Sequence, residues 1–138
     1  MAIKRNQADH WFSKCVRASY GYKCCKCGKQ YDKSSKGFHC SHIFSRRHKQ
    51  IRYDKLNAVA MCYSCHNWYS GEPVESGRWA EDFLGAAAVE ILEDKLKLPN
   101  SILKKEELEI ARHYKAEFEK IELNIDCGID PIDFVSYQ

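Results

Sequence analysis

Two C-x2-C pairs constrain this 138-residue chain more than any other feature. Cys24/Cys27 and Cys62/Cys65 have the ligand spacing of a structural zinc site, and four thiolates close a tetrahedral shell. Such a site joins two distant segments and closes a loop that holds His42 and Asn57, with His66 directly after the last ligand. Cys25 or Cys40 filling one of the four positions is the alternative. Iron also binds thiolates, but a small module without other cofactor features favours zinc.

Length argues for one domain, or a small domain with a helical extension. No apolar run reaches the roughly 18 residues of a membrane span. Residues 1–8 are polar and lack a signal-like apolar stretch, so a reducing cytoplasm is the expected compartment. There, eight cysteines read as metal ligands and core fillers rather than disulfides. The net charge of +3 hides a split: residues 1–70 carry 14 Lys and Arg against 3 Asp and Glu, whereas residues 71–138 carry 8 against 16. The basic half is the half with the cysteine pairs, so a phosphate backbone is drawn to it.

Periodicity predicts a helix over 7–19, with Ala8, Trp11, Phe12, Cys15, Val16 and Ser19 on one face and Gly21 ending it. Cys15 lies on that face as a small buried hydrophobe. Residues 37–42 are extended, 43–53 form a loop rich in Arg, Lys and His, and 58–61 form a strand entering the second pair. A helix follows from 63 to 71, then a Gly71-Glu72-Pro73 turn. Two long helices are predicted over about 77–97 and 102–123, with Ser101 as N-cap of the second. Trp79, Phe83, Ala87, Ile91 and Leu92 mark the first. Leu103, Leu108, Ala111, Tyr114, Phe118 and Ile121 mark the buried side of the second. The tail, 124–138, has no basic residue, and Ile129, Ile132, Phe134 and Val135 are placed to pack back on the body. The expected divisions are 1–21, an N-terminal helix; 22–76, a zinc-stapled core; 77–123, a two-helix extension; and 124–138, an acidic tail.

The candidate site groups around the staple. His42, neutral near physiological pH, has the chemistry of a general base. His66, in the first turn of a helix, is placed to reach back across the strands toward His42 and hold a divalent metal. Asn57 offers an amide that restrains the loop carrying His42. Arg46, Arg47, Lys49 and Arg52 supply candidate phosphate contacts, with His48 among them. Trp68 and Tyr69 are expected to pack on the helix that carries Trp79. His10 and His113 are expected to be structural.

In this register the residues resemble the HNH, or ββα-metal, nucleases. Cys24-x2-Cys27, His42, Asn57 and Cys62-x2-Cys65-His66 fall on that family's pattern. Within the class, His42-Ile43-Phe44-Ser45-Arg46, Arg52-Tyr53-Asp54-x2-Asn57 and Ser70-Gly71 look most like the phage NinG/Rap recombination nucleases. The resemblance covers residues 22–72. It implies an α+β fold in which a ββα-metal (HNH) nuclease core, stapled by a four-cysteine zinc site, carries an N-terminal helix and a C-terminal helical extension. It also implies a DNA endonuclease using Mg or Mn, with DNA as partner, a phage source and 5′-phosphate products. Ser41 stands where many members have a metal ligand, so the metal is held by His66 with phosphate and water, or with Asp54 or His39 entering. A catalytically inactive, zinc-stapled DNA-binding module is the alternative. An RNA-directed enzyme finds no single-strand platform in the sequence. The acidic helices leave a dimer open.

Overall fold

The computed structural model describes residues 3–129 and 132–138. The outer end of the first expected division and the middle of the tail, residues 1–2 and 130–131, lie outside them.

The first helix, α1 (Gln7–Ser19), starts at a capping box. Asn6 accepts from the Asp9 N–H, and the Asp9 carboxylate accepts from the Asn6 N–H, each at 2.9 Å. Two orphan amides are thereby satisfied. Phe12, Cys15 and Val16 are buried, as the helical stripe predicts. The helix ends in a left-handed turn at Gly21 and Tyr22. This turn points the chain into the first cysteine pair.

Strands β1 (Phe38–His42) and β2 (Ala58–Cys62) pair antiparallel, with His39 opposite Met61 and His42 opposite Ala58. The whole of β2 is buried. It runs straight into α2 (Tyr63–Gly71), whose N-cap is Cys62. Among the described residues the sheet has these two strands, and α1 lies against both. Helix α5 (Lys104–Asp126) packs along α1. Tyr114 of α5 meets the Phe12 ring edge-on at 4.9 Å, and both are fully buried. Truncating such an aromatic typically costs about 3–5 kcal/mol.

The helix expected over 77–97 is two helices, α3 (Pro73–Leu84) and α4 (Ala86–Lys95). Gly85 breaks it by adopting φ +89°, where glycine escapes the Cβ clash. The first of these helices also starts earlier than expected, because Pro73 suits a first helical turn. Ser101 is not the cap of α5; Leu103 occupies that position, without a side-chain hydrogen bond. Leu103 and Leu108 are exposed rather than buried, and Ile110 takes the inward place. Of the apolar residues expected to mark the preceding helix, Leu92 is buried while Phe83 and Ile91 are exposed. Trp68 and Tyr69 do pack against Trp79, at 6.3 and 6.2 Å between rings.

The tail returns to the body through Phe134, whereas Ile129 and Val135, expected to pack back with it, are exposed. Phe134 is buried against Phe12 and Tyr114. The Val135 N–H donates to Glu117 at 2.7 Å, and the Lys55 N–H donates to Ser136 Oγ at 3.1 Å. Among the described residues no helix is long and apolar enough to cross a membrane.

Candidate metal centre and basic cavity

Cys24, Cys27, Cys62 and Cys65 converge, with all four Sγ atoms within 4.8 Å of one another. A tetrahedron with metal–sulfur bonds of about 2.3 Å has edges of about 3.8 Å. The Cys27 and Cys62 sulfurs stand 3.8 Å apart. Each pair is organised by its own backbone: the Cys27 N–H faces Cys24 Sγ and the Cys65 N–H faces Cys62 Sγ, both at 3.5 Å. Burial works against the Cys24 thiolate, but backbone N–H groups, Cys27 first, bring its pKa down to about 6. Gly28, at φ +78°, turns the first pair back and donates to the Cys24 carbonyl at 3.0 Å. Donor type, spacing and polarisation fit a structural zinc. Cys25 and Cys40 stand outside the cluster.

His42 ends β1. Its Nε2 donates to the Arg52 carbonyl at 2.9 Å, which leaves Nδ1 as the acceptor. Burial, foremost, pulls its pKa to about 4; the Arg52 carbonyl opposes this, and the Arg46 charge adds to the fall. Asn57 is fully buried and saturates the loop behind His42. Its Oδ1 accepts from the Phe44 N–H at 2.7 Å, while its Nδ2 donates to the carbonyls of Phe44 and Ile51 at 2.9 and 3.1 Å. His66 lies in the first turn of α2, as expected, but it meets His39. The two Nδ1 atoms are 3.0 Å apart. Burial first, then the His39 and Arg46 charges, hold the His66 pKa below the usual histidine value. Asp54 points away and pairs with Lys95.

The candidate phosphate contacts divide. Arg46 lines a cavity of about 960 Å³. Arg52 does not face a substrate: it is buried, and its guanidinium grips Asp9 from two nitrogens. Arg47 and Lys49 are exposed outside the lining of this cavity. The Lys49 N–H is tied to Asn100 at 2.6 Å, and Gln50 donates to the Leu96 and Leu98 carbonyls, so the residues after α4 brace the far end of the basic loop. Instead, the cavity takes Arg5, Arg17, Lys33 and Lys36, which sequence reasoning missed. They come from two segments far apart in the chain, and no local pattern joins them. His39 left a clearer signal. The sequence offered it as a candidate metal ligand, and the structure places it in the cavity wall with the rest of β1. His10, expected to be structural, lines it too; its pKa is lowered by burial, then by Lys14, Arg17 and Arg5.

Residues 24–131 match the family model described as NMD3, N-terminal domain. This chain belongs to the NMD3 N-terminal domain family. The match begins at the first zinc-type cysteine and runs through both pairs and all of α5. No curated protein and no solved structure matches the chain. The family is a zinc-binding domain of an adaptor in ribosome biogenesis and export, and it is not an enzyme.

This overturns the HNH resemblance, and with it the phage recombination setting, the DNA endonuclease activity and the alternative of a DNA-binding module. The catalytic Mg or Mn loses its support for the same reason. The physical source of the error is plain. The C-x2-C spacing records a thiolate staple that joins a strand to a helix, not a catalytic centre. In the NMD3-type chain, His42 and Asn57 hold the loop over 43–57 by hydrogen bonds, and that duty demands the same residue types.

Proposed function

We propose that this chain is a non-enzymatic, zinc-stapled module that grips the sugar–phosphate backbone of ribosomal RNA, as part of a ribosome-linked adaptor. The observation that carries the reading is the charge of the cavity. Five Lys and Arg side chains line it, and Asp9, the one acid lining it among the described residues, is already neutralised by Arg52. Membership of the NMD3 N-terminal domain family supplies the ribosomal context.

The physical account is electrostatic. Cations on the walls of a concave, low-dielectric surface focus their field and draw a polyanion in. Each phosphate contact releases condensed counterions, so affinity falls as salt rises. Neutral His42, with its Nδ1 as acceptor, leaves the lysines and arginines to carry the charge. The β1–β2–α2 unit keeps the strand–strand–helix order of a ββα-metal core and serves as a rigid scaffold for binding. Zinc fixes the scaffold, which favours a reducing cytoplasmic setting where thiolates stay free for metal.

Sedimentation with ribosomal subunits tests this reading. The zinc-loaded protein should pellet with subunits at low salt and be released as salt rises, leaving the RNA uncut. Replacing both Arg17 and Lys36 with Ala should weaken that binding. Failure of the folded parent to sediment with either subunit at low salt would sink the proposal.

A further inference from the structure

We propose a second metal site, for a late transition ion such as zinc or nickel, held between His39 and His66. Their Nδ1 atoms face each other at 3.0 Å across the β1–α2 corner. Two nitrogens bound to one ion at about 2.0–2.1 Å, at angles between octahedral and tetrahedral, stand about 2.9–3.4 Å apart. The observed separation falls inside that window.

The tautomers suit it. His39 Nε2 lies 3.1 Å from the Lys36 carbonyl, which can only accept. The neutral ring therefore carries its proton on Nε2 and presents a lone pair on Nδ1. A carbonyl behind a histidine is the outer-shell support that fixes ring orientation at metal sites. His66 reaches the same position by carrying its own proton on Nε2. Without the ion the His66 proton sits on Nδ1 and is donated to His39 Nδ1; on binding, that proton passes through solvent to His66 Nε2 and the ion takes its place.

A second observation points to a missing occupant. Ser41 is 1% exposed, its Oγ has no hydrogen-bond partner, and it lines the same cavity as the two histidines. Buried hydroxyls are rarely left unpaired. Imidazole donors select Zn, Ni, Cu or Co over Mg and Ca, which prefer oxygen. This site is separate from the thiolate cluster and places positive charge in the cavity.

The experiment uses protein with its thiolate site already filled by zinc. Calorimetric titration with Ni²⁺ should show one further saturable site per chain, and excess Mg²⁺ should not compete for it. His39→Ala should lose that site while keeping the thiolate zinc and the parent's fold, and His66→Ala should do the same. His10→Ala, which alters another histidine of the cavity, should bind Ni²⁺ like the parent. In the unaltered protein, Ni²⁺ should broaden the imidazole signals of His39 and His66 before that of His113. That readout stands even where a variant fails to fold. Undiminished Ni²⁺ binding by folded His39→Ala, no saturable site in the parent, or broadening that starts at His113 would overturn the proposal.

Discussion

Asp9 and Arg52 form a buried ion pair that ties α1 to the loop between the strands. Arg52 Nε donates to Asp9 Oδ1 at 3.0 Å, a terminal nitrogen meets Oδ2, and each side chain is less than a tenth exposed. The same Arg52 guanidinium donates to the Lys4 carbonyl at 3.1 Å, while its own carbonyl holds His42. One residue thereby locks the N-terminal segment, the loop and the end of β1. A bidentate Arg–carboxylate pair is the geometry in which a buried charge is best satisfied.

Removing one partner of such a pair strands the other. Arg52→Ala should lower unfolding free energy by about 3–5 kcal/mol. Because Arg52→Ala alone would also bare the Asp9 carboxylate in the cavity, the binding role is read in a folded Asp9→Asn, Arg52→Gln double variant, which removes both charges together and should keep the parent's salt dependence of RNA binding. Urea denaturation and a binding titration read the two effects separately. A folded double variant with a flattened salt slope would return Arg52 to the binding face.

Asn57 invites a parallel test. Its amide satisfies one N–H and two carbonyls in a place with no access to water. Each buried group left unpaired costs about 1–3 kcal/mol. Asn57→Ala should therefore destabilise by several kcal/mol, on the order of two or three such penalties. Amide exchange should quicken first at Phe44. Exchange at Phe44 that matches the parent would show that the loop has another brace.

The thiolate cluster was fully legible in the sequence, because C-x2-C spacing alone encodes a local knuckle. Both strands, the helix after the second pair and α1 were legible too, since their patterns are short and strong. Gly85 was not read as a break. One glycine in an otherwise periodic stretch looks like a tolerated residue until its φ is known. The inward face of α5 was misjudged at Leu103 and Leu108 because an amphipathic pattern gives a direction but not where the neighbouring helix ends. The cavity was the hardest part. Arg5 and Arg17 flank or lie on α1, Lys33 and Lys36 sit before β1, and only tertiary packing brings them to Arg46. Arg52 shows the reverse: its position in a basic loop suggested a free cation, and its acid partner lies 43 residues away.

Zinc removal should be a folding event. Chelation, or Cys62→Ser, breaks the tetrathiolate shell that joins the two cysteine pairs. Structural zinc is worth about 10–16 kcal/mol in small zinc-finger peptides, more than a domain of this size can spare. Circular dichroism should report loss of structure on chelation, and metal analysis should find about one thiolate-bound zinc per chain when cobalt substitution reads the thiolate site. A chelated protein with unchanged spectrum and melting temperature would deny the staple its structural role.

Acid should unfold the protein partly through His42. Its folded pKa of about 4 lies below the ordinary value of 6.5. Between those values the unfolded chain binds more protons, so stability rises with pH. The contribution is complete above about 6.5 and is lost as pH falls toward 4. Its size is on the order of 1–3 kcal/mol. A His42→Gln protein should show a shallower loss of stability from pH 6.5 to 4, measured by urea denaturation at each pH. Parallel curves for the two proteins would assign the acid sensitivity to other groups.

The central claim is that a zinc-stapled, non-enzymatic scaffold presents a basic cavity to ribosomal RNA. The most direct measurement is the slope of log affinity against log salt for zinc-loaded protein on a ribosomal RNA fragment. Parent protein should give a steep negative slope, and the Arg17→Ala, Lys36→Ala double variant should lose slope, by about 0.7 per phosphate contact removed where the RNA is single-stranded. The RNA should remain intact throughout. A slope identical in parent and double variant, or cleavage of the RNA by the purified parent, would contradict the account.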